Sequence, residues 1–187
     1  MARSRVHRPL SPLNESKLNE LALRYVGKYA TTRAKLRAYL SRKLRERGWS
    51  GESAPDTEAL AERFARAGYI DDAAYALGKS RALAARGYGK RRLVEKLHVA
   101  GVDEENGRAA REHADAEALN AALRFAERRK LGPFRRDELD PKEREREIAA
   151  MIRAGHPFAV AKAILSWPVG AEVDLREIAD RLGLTLS

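Results

Sequence analysis

At 187 residues with no cysteine, the chain is long enough for one compact domain or a short string of small ones, and disulfides, thiolate metal sites and cysteine nucleophiles are excluded. Aromatic residues are 6% of the chain while Ala, Leu, Arg and Glu dominate, a mixture that favours helix and predicts an all-α protein. No apolar run approaches the ~18 residues that span a bilayer, and the basic start from Met1 to Pro9 leads into no apolar signal stretch, so a cytoplasmic protein is expected.

The net charge of +10 is unevenly spread. Residues 1–50 hold 13 Lys and Arg against 3 Asp and Glu, whereas residues 51–187 hold 24 against 24. Arg-rich composition alone would not confine the imbalance to one segment. A localised positive field points to a polyanion or an acidic protein surface as partner.

Residues 1–15, with Arg3, Arg5, Arg8, Pro9 and Pro12, read as a mobile basic arm. A first helix is predicted from Lys17 to Lys28 with Ser16 as its cap, and Leu18, Leu21, Ala22, Tyr25 and Val26 at helical spacing. Thr31 or Thr32 caps a second helix to Arg47, ended by Gly48. In it Leu36, Leu40 and Leu44 form an apolar stripe, and Lys35, Arg42 and Arg45 cluster opposite. Arg33, Arg37, Lys43 and Arg47 flank the stripe and are expected to pack their stems against neighbours. A third helix, from Asp56 or Thr57 to Ala67, turns Leu60, Ala61 and Phe64 inward.

Asp71 and Asp72 are expected to cap the helix that follows and runs to Arg86 through Tyr75, Leu77 and Leu83. Gly78 inside it predicts close backbone packing. Gly87-Tyr88-Gly89 turns the chain, with Gly87 stopping one helix and Gly89 freeing the backbone for the next. That helix, Lys90 to Ala100, puts Leu93, Val94, Leu97 and Ala100 inward and Arg91, Arg92 and Lys96 outward. Asp103 to Lys130 is helical, with a break expected near Asn106-Gly107. Pro141 suits the first position of a helix to Ala154. Its run Lys142 to Glu147 reads as a solvated face with i,i+4 ion pairs. Gly155-His156-Pro157 turns into a short helix to Ser166, and a last helix spans Asp174 to Arg181.

The stretch Arg86 to Leu97 aligns without gaps on Tyr29 to Leu40, 57 positions earlier, and on Ala154 to Leu165, 68 later. Three matches in order argue for a tandem array. The expected units are residues 16–68, which carry the basic excess, 69–132, and 133–187 with the C-terminal helix.

No catalytic constellation is present in the sequence. His7, His98, His113 and His156 lack metal spacing, and no serine or threonine sits in a nucleophile elbow. Gly87-Tyr88-Gly89-Lys90 is an incomplete phosphate loop preceded by a helix, where a Walker motif follows a strand. No metal or cofactor is expected.

The chain resembles the RecX family of bacterial regulatory proteins. The match is carried by Leu21-Ala22-Leu23-Arg24-Tyr25, by Thr32 to Leu36 with Leu40, by Gly68-Tyr69-Ile70-Asp71-Asp72, and above all by Arg86 to Leu93 with Leu97. It covers residues 17–167. Two departures stand out: Lys35 occupies a position where the family often has Glu, and His156-Pro157 replaces Tyr-Gly in the third turn. The resemblance implies three tandem three-helix units in an elongated, curved array. It also implies binding to the RecA filament on single-stranded DNA, with lowered strand exchange, ATP hydrolysis and co-protease activity. Contact candidates are Lys35, Arg42 and Arg45 in the first unit and Tyr88, Lys90, Arg91 and Arg92 in the second. Single- or double-stranded DNA, held through phosphates, is a further expected partner, and the chain is expected to be a monomer. An independent DNA-binding helix-turn-helix regulator is the alternative reading.

Overall fold

The computed structural model describes residues 11–136 and 140–184. Among them lie ten α-helices, a 3-10 turn at Gly132–Phe134, and no strand beyond one isolated bridge. The chain divides into two compact units, residues 1–72 and 73–187.

Unit one is built on α1 (Glu15–Lys28), α2 (Arg33–Arg47) and α3 (Thr57–Arg66). Thr32 and Asp56 cap α2 and α3 by accepting the N–H of Lys35 and Ala59. The cap of α1 is Asn14, whose Oδ1 accepts the Lys17 N–H, and the helix starts two residues before the expected Lys17. Tertiary contact decides between two good capping residues. Leu13 is fully buried and exchanges hydrogen bonds with the chain at Gly48 and Ser50, which fixes Asn14 in place. Residues 11–15 therefore belong to the fold rather than to a mobile arm, and Met1 to Leu10 lie outside the described residues. Leu18, Ala22, Leu36, Leu40, Leu60, Ala61, Phe64 and Ile70 form the core with Leu13. Burying Leu36 and Leu40 completely contributes about 2 kcal/mol each.

Unit two contains α4 (Asp72–Ala85, beginning at the last residue of unit one), α5 (Lys90–Val99), α6 (Arg108–Ala116) and α7 (Ala118–Arg129). It continues with α8 (Pro141–Arg153), α9 (Phe158–Leu165) and α10 (Leu175–Leu182). One core joins Ala76, Leu83, Leu93, Leu97 and Ala110; Ser80 is buried beside it, its hydroxyl donating to the Ala110 carbonyl at 2.9 Å. A second joins Leu119, Ala122, Phe125 and Ala126 of α7 to Met151, Val160, Ala161, Ile164 and Ile178. The chain is non-helical through Asn106-Gly107, where a break was expected, α6 starts only at Arg108, and a second break falls at Glu117. It separates α6, which serves the first core, from α7, which serves the second.

Several expectations change in this unit. Val94 is 41% exposed, not inward. Gly78 is exposed, and a Cβ there would meet nothing within 4 Å, so no close packing explains it. Pro141 does start α8, behind a capping box of Asp140 and Glu143. Its charged run is not wholly solvated. Glu147 is 8% exposed and accepts the Gly132 N–H at 3.1 Å, with Arg135 Nη1 at 3.4 Å.

Candidate functional site

The basic face of α2 is the first candidate surface. Lys35, Arg42 and Arg45 fall within an arc of about 80° at 3.6 residues per turn, opposite the buried Leu36 and Leu40. Arg42 and Arg45 are exposed and Lys35 is half-buried. Arg42 lies with its guanidinium 5.7 Å from the Tyr39 ring centroid and 3.6 Å from Glu46. Glu46 is held below the usual carboxylate range, chiefly by its hydrogen bond from Lys43 at 2.6 Å and then by the nearby positive charges.

The flanking cations of α2 are spent inside unit one. Arg33 donates through its backbone N–H and its Nε to the two carboxylate oxygens of Asp72, both at 3.0 Å, and through Nη1 to Glu62 at 3.1 Å. The hydrogen bond to Asp72 raises the Arg33 guanidinium pKa, against partial desolvation. Asp72, whose side chain is 4% exposed, thus serves the start of α2, where it was expected to cap α4. Arg37 pairs with Glu58, and Arg47 donates to the Ser11 carbonyl.

The α5 candidates are differently placed. Lys90 pairs with Asp115 at 2.6 Å, and Glu95 takes both Arg91 at 3.7 Å and Arg92 at 3.2 Å. Tyr88 packs against both cores of unit two, its ring 6.4 Å from Phe125 and under Arg86. The α2 set and the α5 set belong to different units.

The Gly87-Tyr88-Gly89 turn docks on its counterpart in unit two. Gly89 N–H donates to the Ala154 carbonyl at 3.0 Å and Arg91 N–H to the Gly155 carbonyl at 3.3 Å. A Cβ on Gly89 would lie 2.3 Å from the Gly155 oxygen, although Gly89 has an ordinary φ of −82°. Gly89 is there for the close approach; Gly87, at φ 75°, is the one that needs positive φ. His156 is buried, and its Nε2–H donates to the Gly87 carbonyl at 3.0 Å. Burial pushes its imidazole pKa down, the Gly87 bond opposing the shift, and Nδ1 has no partner.

A third feature was not anticipated from the sequence. Tyr25, Tyr29 and Tyr39 gather where α1 meets α2, with Arg24, Lys28 and Arg42 around them. The signal lay in the pairs Arg24-Tyr25 and Lys28-Tyr29, four residues apart on one helix face. Among the described residues no group of three or more His, Asp or Glu is placed to hold a metal, and no helix is long and apolar enough to cross a membrane. What these surfaces can do chemically is attract and hold anions.

No protein-family model matches the chain. Curated relatives named regulatory protein RecX do. The one from Myxococcus xanthus is 35% identical over 158 residues, covering 79% of this chain and 83% of the relative. That of Agrobacterium fabrum is 33% identical over 72% and 74%, and that of Mycobacteroides abscessus 30% identical over 86% and 78%.

Proposed function

This chain belongs to the RecX family of regulatory proteins, and from that premise we propose that it binds the RecA nucleoprotein filament and restrains its strand exchange, ATP hydrolysis and co-protease activity. It acts by binding and catalyses no reaction of its own. The observation that carries this reading is 35% identity across 79% of the chain to a RecX regulatory protein.

The tandem plan belongs to the same proposal. Helices α1, α4 and α8 end at Lys28, Ala85 and Arg153, and α2, α5 and α9 take Thr32, Gly89 and Pro157 as N-caps. Both sets fall in the same columns of the gapless alignment of Tyr29, Arg86 and Ala154. Three repeats of helix, turn, helix and closing segment, over 16–68, 69–132 and 133–187, account for that register. The α2 face of Lys35, Arg42 and Arg45 supplies electrostatic attraction to DNA phosphates or acidic RecA surface. Lys90, Arg91 and Arg92 at the start of α5 each face a carboxylate and contribute less, and this weighs against α5 as the recognition helix of an independent DNA-binding regulator.

The test is RecA ATPase on single-stranded DNA. The parent chain slows it. A Lys35→Ala/Arg42→Ala/Arg45→Ala variant requires about tenfold more protein for the same inhibition, three surface charges being worth roughly 0.5 kcal/mol each. Equal inhibition by parent and variant removes the role given to this face, and a parent without effect removes the proposal.

A further inference from the structure

We propose that the corner between α1 and α2 is a binding site for a single strand of nucleic acid, with Tyr29 as the stacking platform for one unpaired base and Arg24, Lys28 and Arg42 as phosphate partners. The site is carried by geometry in unit one and goes beyond the regulatory reading. Tyr25 and Tyr39 stack on each other, centroids 4.3 Å apart and planes 15° from parallel, so two helices hold one rigid aromatic wall. Tyr29 leans on that wall at 5.4 Å and 54°, and remains 49% exposed. Its backbone is fixed, because its N–H closes α1 by donating to the Tyr25 carbonyl at 3.0 Å. The ring is thus presented without the freedom of a loop side chain.

The cleft measures about 430 Å³ and is lined by the three tyrosines with Arg24, Lys28 and Arg42, with no carboxylate in its lining. Lys28 Nζ lies 5.3 Å from the Tyr29 centroid. Those cations decide what the rings can take. An aromatic cage for a quaternary ammonium needs a site free of competing positive charge, and this one is surrounded by it. An acidic peptide would use the cations and leave the rings idle. A base with its flanking phosphates uses both, since base and aromatic faces stack while basic side chains track the backbone. Duplex DNA hides its base faces, so the site selects single strands.

The full chain is titrated by fluorescence anisotropy against a labelled oligothymidylate of about 15 nucleotides, a duplex of equal charge and an abasic single strand, without RecA. The parent binds the oligothymidylate best. Tyr29→Leu loses roughly tenfold or more in affinity for it, while Tyr29→Phe, which keeps the ring, stays within about twofold. Arg24→Gln and Lys28→Gln each weaken binding and flatten the slope of log K on log salt by about 0.7. Tyr29 is half exposed and outside the core, so its variants fold, as circular dichroism confirms. Equal binding of abasic and normal strands, an unaffected Tyr29→Leu, or a Tyr29→Phe as weak as Tyr29→Leu each overturns the site. Because RecA is absent, any of these results leaves the regulatory proposal standing, and a parent that binds the oligomer without slowing RecA overturns only the latter.

Discussion

A methyl group at Gly89 would press to 2.3 Å of the Gly155 oxygen, whereas one at Gly78, exposed in the middle of α4, would touch nothing. Gly89→Ala therefore lowers the stability of unit two by about 2–3 kcal/mol, and Gly78→Ala raises it by about 0.5–1 kcal/mol, both read by urea unfolding. The sequence displays both glycines and suggests the reverse assignment, close packing for Gly78 and a turn for Gly89, because propensity records a cost without naming the neighbour that repays it. His156 is the same kind of case: its scattered position excluded a metal site, and only the fold reveals it buried on the Gly87 carbonyl. Its pKa is depressed, so below about pH 6.5 the unfolded chain takes up a proton that the folded chain refuses. The His156 contribution to stability is fully present above that pH and declines as pH falls toward the folded pKa, with a slope of at most about 1.4 kcal/mol per pH unit. His156→Gln removes this component, and the difference between parent and variant melts from about pH 7.5 to 5 measures it.

At the scale of the element, α2 is fixed from outside as much as from within. Thr32 caps it through the Lys35 N–H, and Asp72, 39 residues beyond Arg33, takes the Arg33 N–H. Removing that carboxylate leaves a guanidinium and an amide short of a partner, so Asp72→Ala costs unit one about 2 kcal/mol. The reporter is Trp49 fluorescence in a Trp167→Phe background, the two tryptophans lying in different units. Asp72→Asn, able to accept the amide but not to pair the charge, loses about half as much. Thr32, Asp56 and Pro141 gave away their helix starts because a cap or an N1 proline is a local requirement. Asn14 and Glu117 did not. Leu13, held beside Trp49, chooses Asn14 over Ser16, and Ala116-Glu117-Ala118 contains no residue that breaks helices on its own. That bend follows from two cores that α6 and α7 must each reach.

Across the whole molecule, folding redistributes the charge. Divided at residue 50, the chain carries its entire +10 on one side; divided at Asp72, unit one has 15 Lys and Arg against 9 Asp and Glu, and unit two 22 against 18. The acids between residues 51 and 72 explain the difference, since Glu58, Glu62 and Asp72 fold back on Arg37 and Arg33. The sequence located the basic segment but not which of its cations remain available, because pairing partners come from a different helix. Among the described residues, the cations exposed at the two candidate surfaces are Arg45 on α2 and Arg24 and Lys28 at the tyrosine corner, with Arg42 shared with Glu46. Single-strand binding should therefore show a slope of log K on log salt of about −2 to −3, as for three or four phosphates. A slope near −7, as for ten, would mean that the whole excess reaches the ligand.

The docked turns of unit two have a further consequence, one for motion rather than stability. The amides of Gly89 and Arg91 lie at the start of α5, where a helix has no carbonyls of its own to offer, and they are held by Ala154 and Gly155. Their exchange with solvent deuterons is gated by parting of the two turns, while the amides further along α5 follow the helix itself. Two backbone protons thus keep time for the seam between the two cores of unit two, and their slow exchange counts how seldom it opens.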